Sequence, residues 1–253
     1  MNLFRIVFKS TLFLITVFIG IFWTVLFVQR DKPHKEPSSG YIQLWNKMIL
    51  GLLNVQVEAI GKPETKATLF VSNHVSWMDI SVLHSLAIGS FLSKVEVKKW
   101  PLVGWLAIQC GTLFIERGSK NAASLANNTM SKAMKNGRSI FLFPEGTTSD
   151  GTLRLFHPHL FDSAIEADVC VQPIAIHYLH ETQHTHPKAG FLKGQSLGEN
   201  VKGVMQLPSL KVRVHFLEPL DPKDFKNRKA LAKAAREAIS NTLYPENNSD
   251  KQQ

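Results

Sequence analysis

Cysteine is scarce in this chain of 253 residues: Cys110 and Cys170 are the only two, 60 positions apart and each within an apolar run. Two thiols so placed exclude a disulfide-stapled scaffold and point to buried cysteines in a reducing compartment. Acidic residues are also short, 20 against 29 Lys and Arg, which leaves a formal charge of +9. That excess asks for an anionic partner, either nucleic acid or a membrane surface. No nucleic-acid recognition motif accompanies the charge, so nucleic acid is not expected as a partner. Hydrophobic residues, by contrast, make up 44% of the chain. That is enough for an ordinary core in one large domain with an appendage.

The appendage is N-terminal. Thr11 to Val28 is an 18-residue uncharged run rich in Phe, Leu and Ile, with Arg5 and Lys9 before it and Arg30, Lys32 and Lys35 after it. At about 1.5 Å per residue this is near the lower limit for crossing a hydrocarbon core. A cleaved secretory signal is the alternative, but no small-x-small site follows, and the reading adopted is an uncleaved membrane anchor over residues 1–31. Basic residues on both flanks leave a spanning and a re-entrant or interfacial helix both open. Residues 32–60 hold a linker with two prolines, KPHKEPSSG, and then an amphipathic helix from Tyr41 to Leu53. Its apolar face suits packing under the main domain or lying among lipid headgroups.

Residues 61–253 form the main domain. Predicted strands at Asn54–Ile60, Ala67–Val71, Phe91–Val95, Thr112–Ile115, Ser139–Phe143, Val171–Tyr178 (interrupted by Pro173) and Leu210–Phe216 are interleaved with helical segments. The helices are Asp79–Ile88, Ser119–Asn136 (capped by Ser119 and closed by Gly137), Pro158–Ala167 and Pro222–Leu243. Lys98 to Gln109 is mixed, broken by Pro101 and Gly104. Alternation of this kind predicts an α/β fold with a central, largely parallel sheet flanked by helices. Reactive groups in such sheets gather at the strands' carboxyl ends. His74, Arg117 and Glu145 each directly follow a predicted strand.

The stretch LFVSNHVSWMD, Leu69 to Asp79, carries the chemistry. Five residues on a continuous helix turn through about 500° at roughly 3.6 residues per turn, so His74 and Asp79 can meet only across a bend. With His74 in the loop and Asp79 in the next helix's first turn, the carboxylate accepts Nδ1–H and leaves Nε2 as a proton acceptor. That is a general base with its orienting acid and no attached nucleophile. The plainer reading is a helix-capping Asp beside a loop His.

A resemblance weighs toward the first reading. His74 through Asp79 is similar to the NHxxxxD block of the glycerolipid acyltransferases, the family of the bacterial 1-acylglycerol-3-phosphate acyltransferases. Gly111 to Arg117, GTLFIER, resembles that family's GxxFIxR block. Phe143 to Thr147 resembles FPEGT, and Val171 to Ile174 resembles the block usually written VPI. Lys94 to Val97 and Pro101 to Gly104 match its Lys-x-Glu and Pro-x-x-Gly segment. The blocks stand in the family's order from about Ala67 to Tyr178.

The resemblance implies a glycerol-3-phosphate acyltransferase-like fold behind a membrane-anchoring helix. It implies an enzyme moving a fatty acyl group from acyl-CoA or acyl carrier protein to the free hydroxyl of a lysolipid, here lysophosphatidate. His74 and Asp79 would be catalytic. Lys94, Arg117, Glu145, Gly146, Thr147 and Arg154 would hold the acceptor, with no metal and no cofactor. The setting would be the cytoplasmic face of the inner membrane. One departure bears on the acceptor. The family commonly has Arg after the EGT triplet, where this chain has Thr148; Arg154 is a candidate replacement. Thr147-Thr148 with RLFHPHL, Arg154 to Leu160, is also similar to relatives that acylate lyso-ornithine lipid. A membrane-anchored binding protein that kept the fold without the chemistry is the rival class.

Two further motifs are set aside. His180 to His184 spells HExxH, but it follows a strand and lacks an apolar helical face, so a surface loop is expected. Gly194 to Gly198 spells GxSxG after a stretch too short and polar for a nucleophile elbow.

Overall fold

The computed structural model describes residues 11–12, 15–22, 39–116, 121–192 and 194–245. Seven strands form one sheet: β1 (Val55–Ile60), β2 (Leu69–Ser72), β3 (Ser90–Lys94), β4 (Leu113–Ile115), β5 (Ile140–Leu142), β6 (Val171–Tyr178) and β7 (Leu210–Phe216). Their order is β1-β7-β6-β2-β5-β3-β4, and every neighbouring pair is parallel except β6 with β7. The expected largely parallel sheet is present, with one antiparallel junction. That junction leaves β2 to β6 running in one direction, so their carboxyl ends share one rim.

Strand patterning follows burial. β2 is buried along its whole length, as an interior strand covered on both faces must be. β7 alternates: Leu210, Val212, Val214 and Phe216 point inward and Lys211, Arg213 and His215 do not. At the sheet's edge β1 is mostly exposed and carries Glu58, paired with Arg213 at 2.9 Å, a charge that blunts an open edge.

Helices cover both faces. On one side lie α1 (Ser39–Leu52), α2 (Met78–Leu86) and α7 (Leu197–Met205). There Ile49, Leu50 and Leu53 pack with Phe70, Val82, Leu83, Ile174 and Ile176. Each such side chain contributes about 1.5–3 kcal/mol when fully buried. Of the two roles open to the amphipathic segment, packing under the domain is the one its inner face fulfils. On the other side lie α5 (Ala122–Lys135), α6 (Asp162–Ala167) and α8 (Arg228–Leu243). Leu231, Ala235, Ile239 and Leu243 form the buried stripe of α8 at four-residue spacing. The short helices α3 (Val95–Lys98) and α4 (Val103–Gln109) link β3 to β4.

Several boundaries differ from the sequence reading. The final helix starts at Arg228 because Asn227 caps it, its side chain accepting from Lys229 N and Ala230 N, while Pro222–Asp224 is a separate 3₁₀ turn. α5 begins at Ala122 after Asn121; Ser119, the expected cap, lies outside the described residues. Pro173 does not interrupt β6, which runs unbroken between β2 and β7. Its carbonyl still accepts from Leu217 N at 3.0 Å, while Leu217 O, which an N–H at this position would reach, accepts from Gln172 Nε2 at 2.9 Å instead. A side-chain donor thus replaces the ladder bond that proline cannot make.

Residues 15–22 are helical and meet α1: Trp45 Nε1 donates to Thr16 O at 2.9 Å. A Cβ on Gly20 would fall 2.3 Å from the same ring nitrogen, so only glycine allows this approach. Among the described residues no helix is long and apolar enough to cross a membrane. The rest of the Thr11–Val28 run lies outside them.

Candidate active site

The site is assembled at the carboxyl ends of β2, β5 and β6. The bend between His74 and Asp79 is present. β2 ends at Ser72, His74 stands in the following loop, and Asp79 occupies the first turn of α2. His74 Nδ1 lies 2.7 Å from Asp79 Oδ2. The same carboxylate oxygen accepts Val75 N at 2.8 Å and Ser76 N at 2.9 Å, and the other accepts the Tyr178 hydroxyl at 2.6 Å. Asp79 is fully buried, while the His74 side chain is 18% exposed. A carboxyl at such a depth requires hydrogen-bond partners on both oxygens, and Asp79 has four donors. The tautomer that follows has Nδ1 protonated toward Asp79 and Nε2 bare.

The imidazole is held from the side as well as from below. Phe143 stacks on it at 3.9 Å between ring centroids and 9° between planes. The backbone is fixed too: His74 O accepts from Ser149 N at 2.9 Å, and Phe191 N donates to Val75 O at 3.0 Å. Beneath the loop, Asn73 exchanges two hydrogen bonds with the backbone of Ile176, at 2.8 and 2.9 Å, and so ties β2 to β6.

Glu145 is bound by main-chain donors. Its side chain is buried, and both oxygens are occupied by backbone donors: His74 N at 2.8 Å and Arg154 N at 3.0 Å. It therefore ties the His74 loop to the chain after β5. Burial pushes its carboxyl above the ordinary range, partly offset by those two N–H groups. Gly146, at φ +73°, makes the turn that brings this carboxylate back under the loop.

The remaining predicted contacts spread along the rim. Thr147 is exposed beside Gly146. The Arg154 side chain is exposed while its backbone is bound on both sides, N to Glu145 and O to Arg236 Nε at 2.8 Å. Lys94, exposed, ends β3, two strands from β2 and so about 10 Å away at ordinary strand spacing. Arg117 lies outside the described residues. The Thr148 hydroxyl donates to Phe191 O and draws segment 189–192 onto the turn. His157 and His159 serve loop packing through their backbone: His157 N donates to Pro144 O, and Asn127 Nδ2 donates to His159 O.

The sequence reading missed Tyr178 and the stacking role of Phe143. Phe143 was visible as the first residue of FPEGT, whereas Tyr178 gave no signal beyond being a polar-tipped residue at an inward position. The motifs set aside stay outside the site. Residues 179–189 form a loop, and the described residues hold no cluster of His, Cys, Asp or Glu fit for a metal ion. Cys110 and Cys170 are both free, and burial raises the Cys110 thiol to about 12.

Comparison with known proteins gives the family. The Acyltransferase family model matches residues 54–177. The chain is 39% identical to a lyso-ornithine lipid O-acyltransferase of Pseudomonas aeruginosa over 201 residues, 79% of this chain and 77% of that protein. It is 30% identical to a 1-acyl-sn-glycerol-3-phosphate acyltransferase of Neisseria meningitidis over 195 residues, 76% of each. The crystal structure of the 1-acyl-sn-glycerophosphate acyltransferase PlsC from Thermotoga maritima superposes with a TM-score of 0.70 at 25% identity, covering 98% of this chain and 96% of that one. With these relatives matched over most of their length, the chain belongs to the acyltransferase family of lysolipid-acylating enzymes.

Proposed function

We propose that the chain acylates the free hydroxyl of a lyso-ornithine lipid, with His74 as general base and Asp79 as its orienting acid. The observation that carries the chemistry is the 2.7 Å contact between His74 Nδ1 and a buried Asp79, which leaves Nε2 as the proton acceptor. Nε2 takes the hydroxyl proton as the oxygen attacks the acyl carbonyl of a thioester, acyl-CoA or acyl carrier protein. The C–O bond forms, the C–S bond breaks, and the proton passes from imidazolium to the departing thiolate. The thioester is already activated, so no acyl-enzyme is needed and no metal or cofactor enters.

Two observations support the acceptor. The relative 39% identical to this chain is named for lyso-ornithine lipid. Thr148, standing where the family's arginine is common, spends its hydroxyl on Phe191 O, which leaves that position without a cation for phosphate. Lysophosphatidate is the second reading, favoured by the Neisseria relative; Lys94, Arg154 and Arg117 would then supply the charge. The Thr11–Val28 run would anchor the enzyme to the cytoplasmic face of the inner membrane. Ile15, Phe18 and Phe22 are exposed there while Thr16 is turned inward.

The test incubates the purified protein and a labelled acyl thioester with lyso-ornithine lipid and with lysophosphatidate. A higher kcat/KM for lyso-ornithine lipid is expected. Preference for lysophosphatidate, together with a raised KM for it in Arg117→Ala, would replace the first reading by the second.

A further inference from the structure

β6 presents Ile174, Ile176 and Tyr178 to the same core as α1 and α2. Two of those three positions are plain hydrocarbon. The third carries a hydroxyl at full burial, a costly choice unless the group has a partner. That partner is Asp79 Oδ1, 2.6 Å away and 99 residues distant in sequence. We propose that Tyr178 is a positioning residue for the acyl transfer, acting through Asp79 to hold His74.

The argument rests on the His74–Asp79 reading above. Asp79 Oδ2 is crowded with three donors: His74 Nδ1, Val75 N and Ser76 N. A carboxylate so loaded on one oxygen can still turn about its Cβ–Cγ bond unless the other oxygen is also held. Tyr178 supplies that hold from a strand, and a strand is stiffer than the loop that carries His74. Asn73 anchors the same strand two residues earlier, at Ile176, so loop and phenol are referenced to one frame.

Tyr178 is fixed as the donor in this pair. Burial first, and then the charge of Asp79, hold the phenol proton on well above the ordinary tyrosine range, while a hydrogen bond from Ser76 works in the opposite direction. By drawing on Oδ1 the phenol shares the carboxylate's charge. Without it, more of that charge falls on the His74 proton and favours the imidazolium. Among the described residues Glu145 also meets His74, through its backbone N–H, a bond that the exchange of Tyr for Phe leaves alone.

Tyr178→Phe keeps the ring and removes only the oxygen. The expected result is a fall in kcat of about ten- to a hundredfold with acceptor KM within twofold, as for loss of one hydrogen bond to a charged group. The acidic limb of the kcat/KM profile is expected to move to higher pH. The ¹⁵N titration of the His74 imidazole, recorded on the same protein without substrate, should move with it. Wild-type kcat, or a loss at every pH with the limb and the titration unmoved, overturns the proposal. His74→Ala run alongside separates the two levels of the argument. If that variant is inactive while Tyr178→Phe behaves as wild type, only the tyrosine's role is lost. If His74→Ala retains activity, the base itself is misassigned. A Tyr178→Phe protein whose thermal transition is lost counts against positioning unless Tyr178→Trp or Tyr178→Leu, each filling the core without a correctly placed hydroxyl, folds and reproduces the shifted titration.

Discussion

Asp79 and Glu145 are buried carboxylates that follow neighbouring strands of one sheet, and both close a loop by accepting backbone N–H groups. They differ in what else they hold. Asp79 binds an imidazole and a phenol, whereas Glu145 accepts from the main chain of His74 and Arg154. The contrast shows how a fold separates two uses of one functional group. A carboxylate facing a titratable ring adjusts that ring's proton affinity, and one facing backbone amides fixes where the ring stands.

Substitution at the first carboxylate should cost the most. His74→Ala and Asp79→Asn are each expected to lower kcat by about a thousandfold or more, the scale seen when a base or its orienter is removed. His74→Ala should melt close to wild type, while Asp79→Asn should lose about 1–3 kcal/mol because three N–H donors and a phenol lose a carboxylate acceptor. Turnover near wild type in either would erase the distinction between the two acids.

Glu145→Gln should do the reverse, costing stability first and activity second. One of its two backbone donors loses an acceptor, about 1–3 kcal/mol, and kcat should fall about tenfold through the displaced loop. Thermal melting and steady-state kinetics on the same sample would separate the two. pH sharpens this prediction. The folded carboxyl is raised above its ordinary value near 4.5, so its proton is held more tightly folded than unfolded. That contribution is fully present below pH 4.5 and is lost as pH rises through the raised value. The stability advantage of wild type over Glu145→Gln should therefore shrink from pH 4 to pH 7.5; an advantage that grows would contradict the sign.

The smallest effect is expected at Arg154, where backbone and side chain part company. Its N–H serves the Glu145 clamp and its guanidinium is exposed. Arg154→Ala should leave stability within about 0.5 kcal/mol. Acceptor KM should rise no more than about fivefold, the scale of an exposed charge contact. A large loss of kcat would mean that the side chain, not the main chain, carries the role.

The sequence by itself determined the family and most of the layout. Alternating polarity in Leu210–Phe216 and the unbroken apolar run before Ser72 located strands, because burial imposes its period on a chain regardless of partners. The five-residue spacing of His74 and Asp79 demanded a bend, because a helix would have turned them apart. Only the tertiary structure decided the rest. The central place of Pro173 depended on the neighbouring Gln172 side chain giving Leu217 O the donor that the proline nitrogen lacks. The work of Glu145 depended on two N–H groups 71 and 9 residues away. Tyr178 met Asp79 because β6 lies beside β2 in a particular register. Local spacing fixes which way a side chain can point, but strand order and register fix what it meets, and these are set by the packing of the whole sheet.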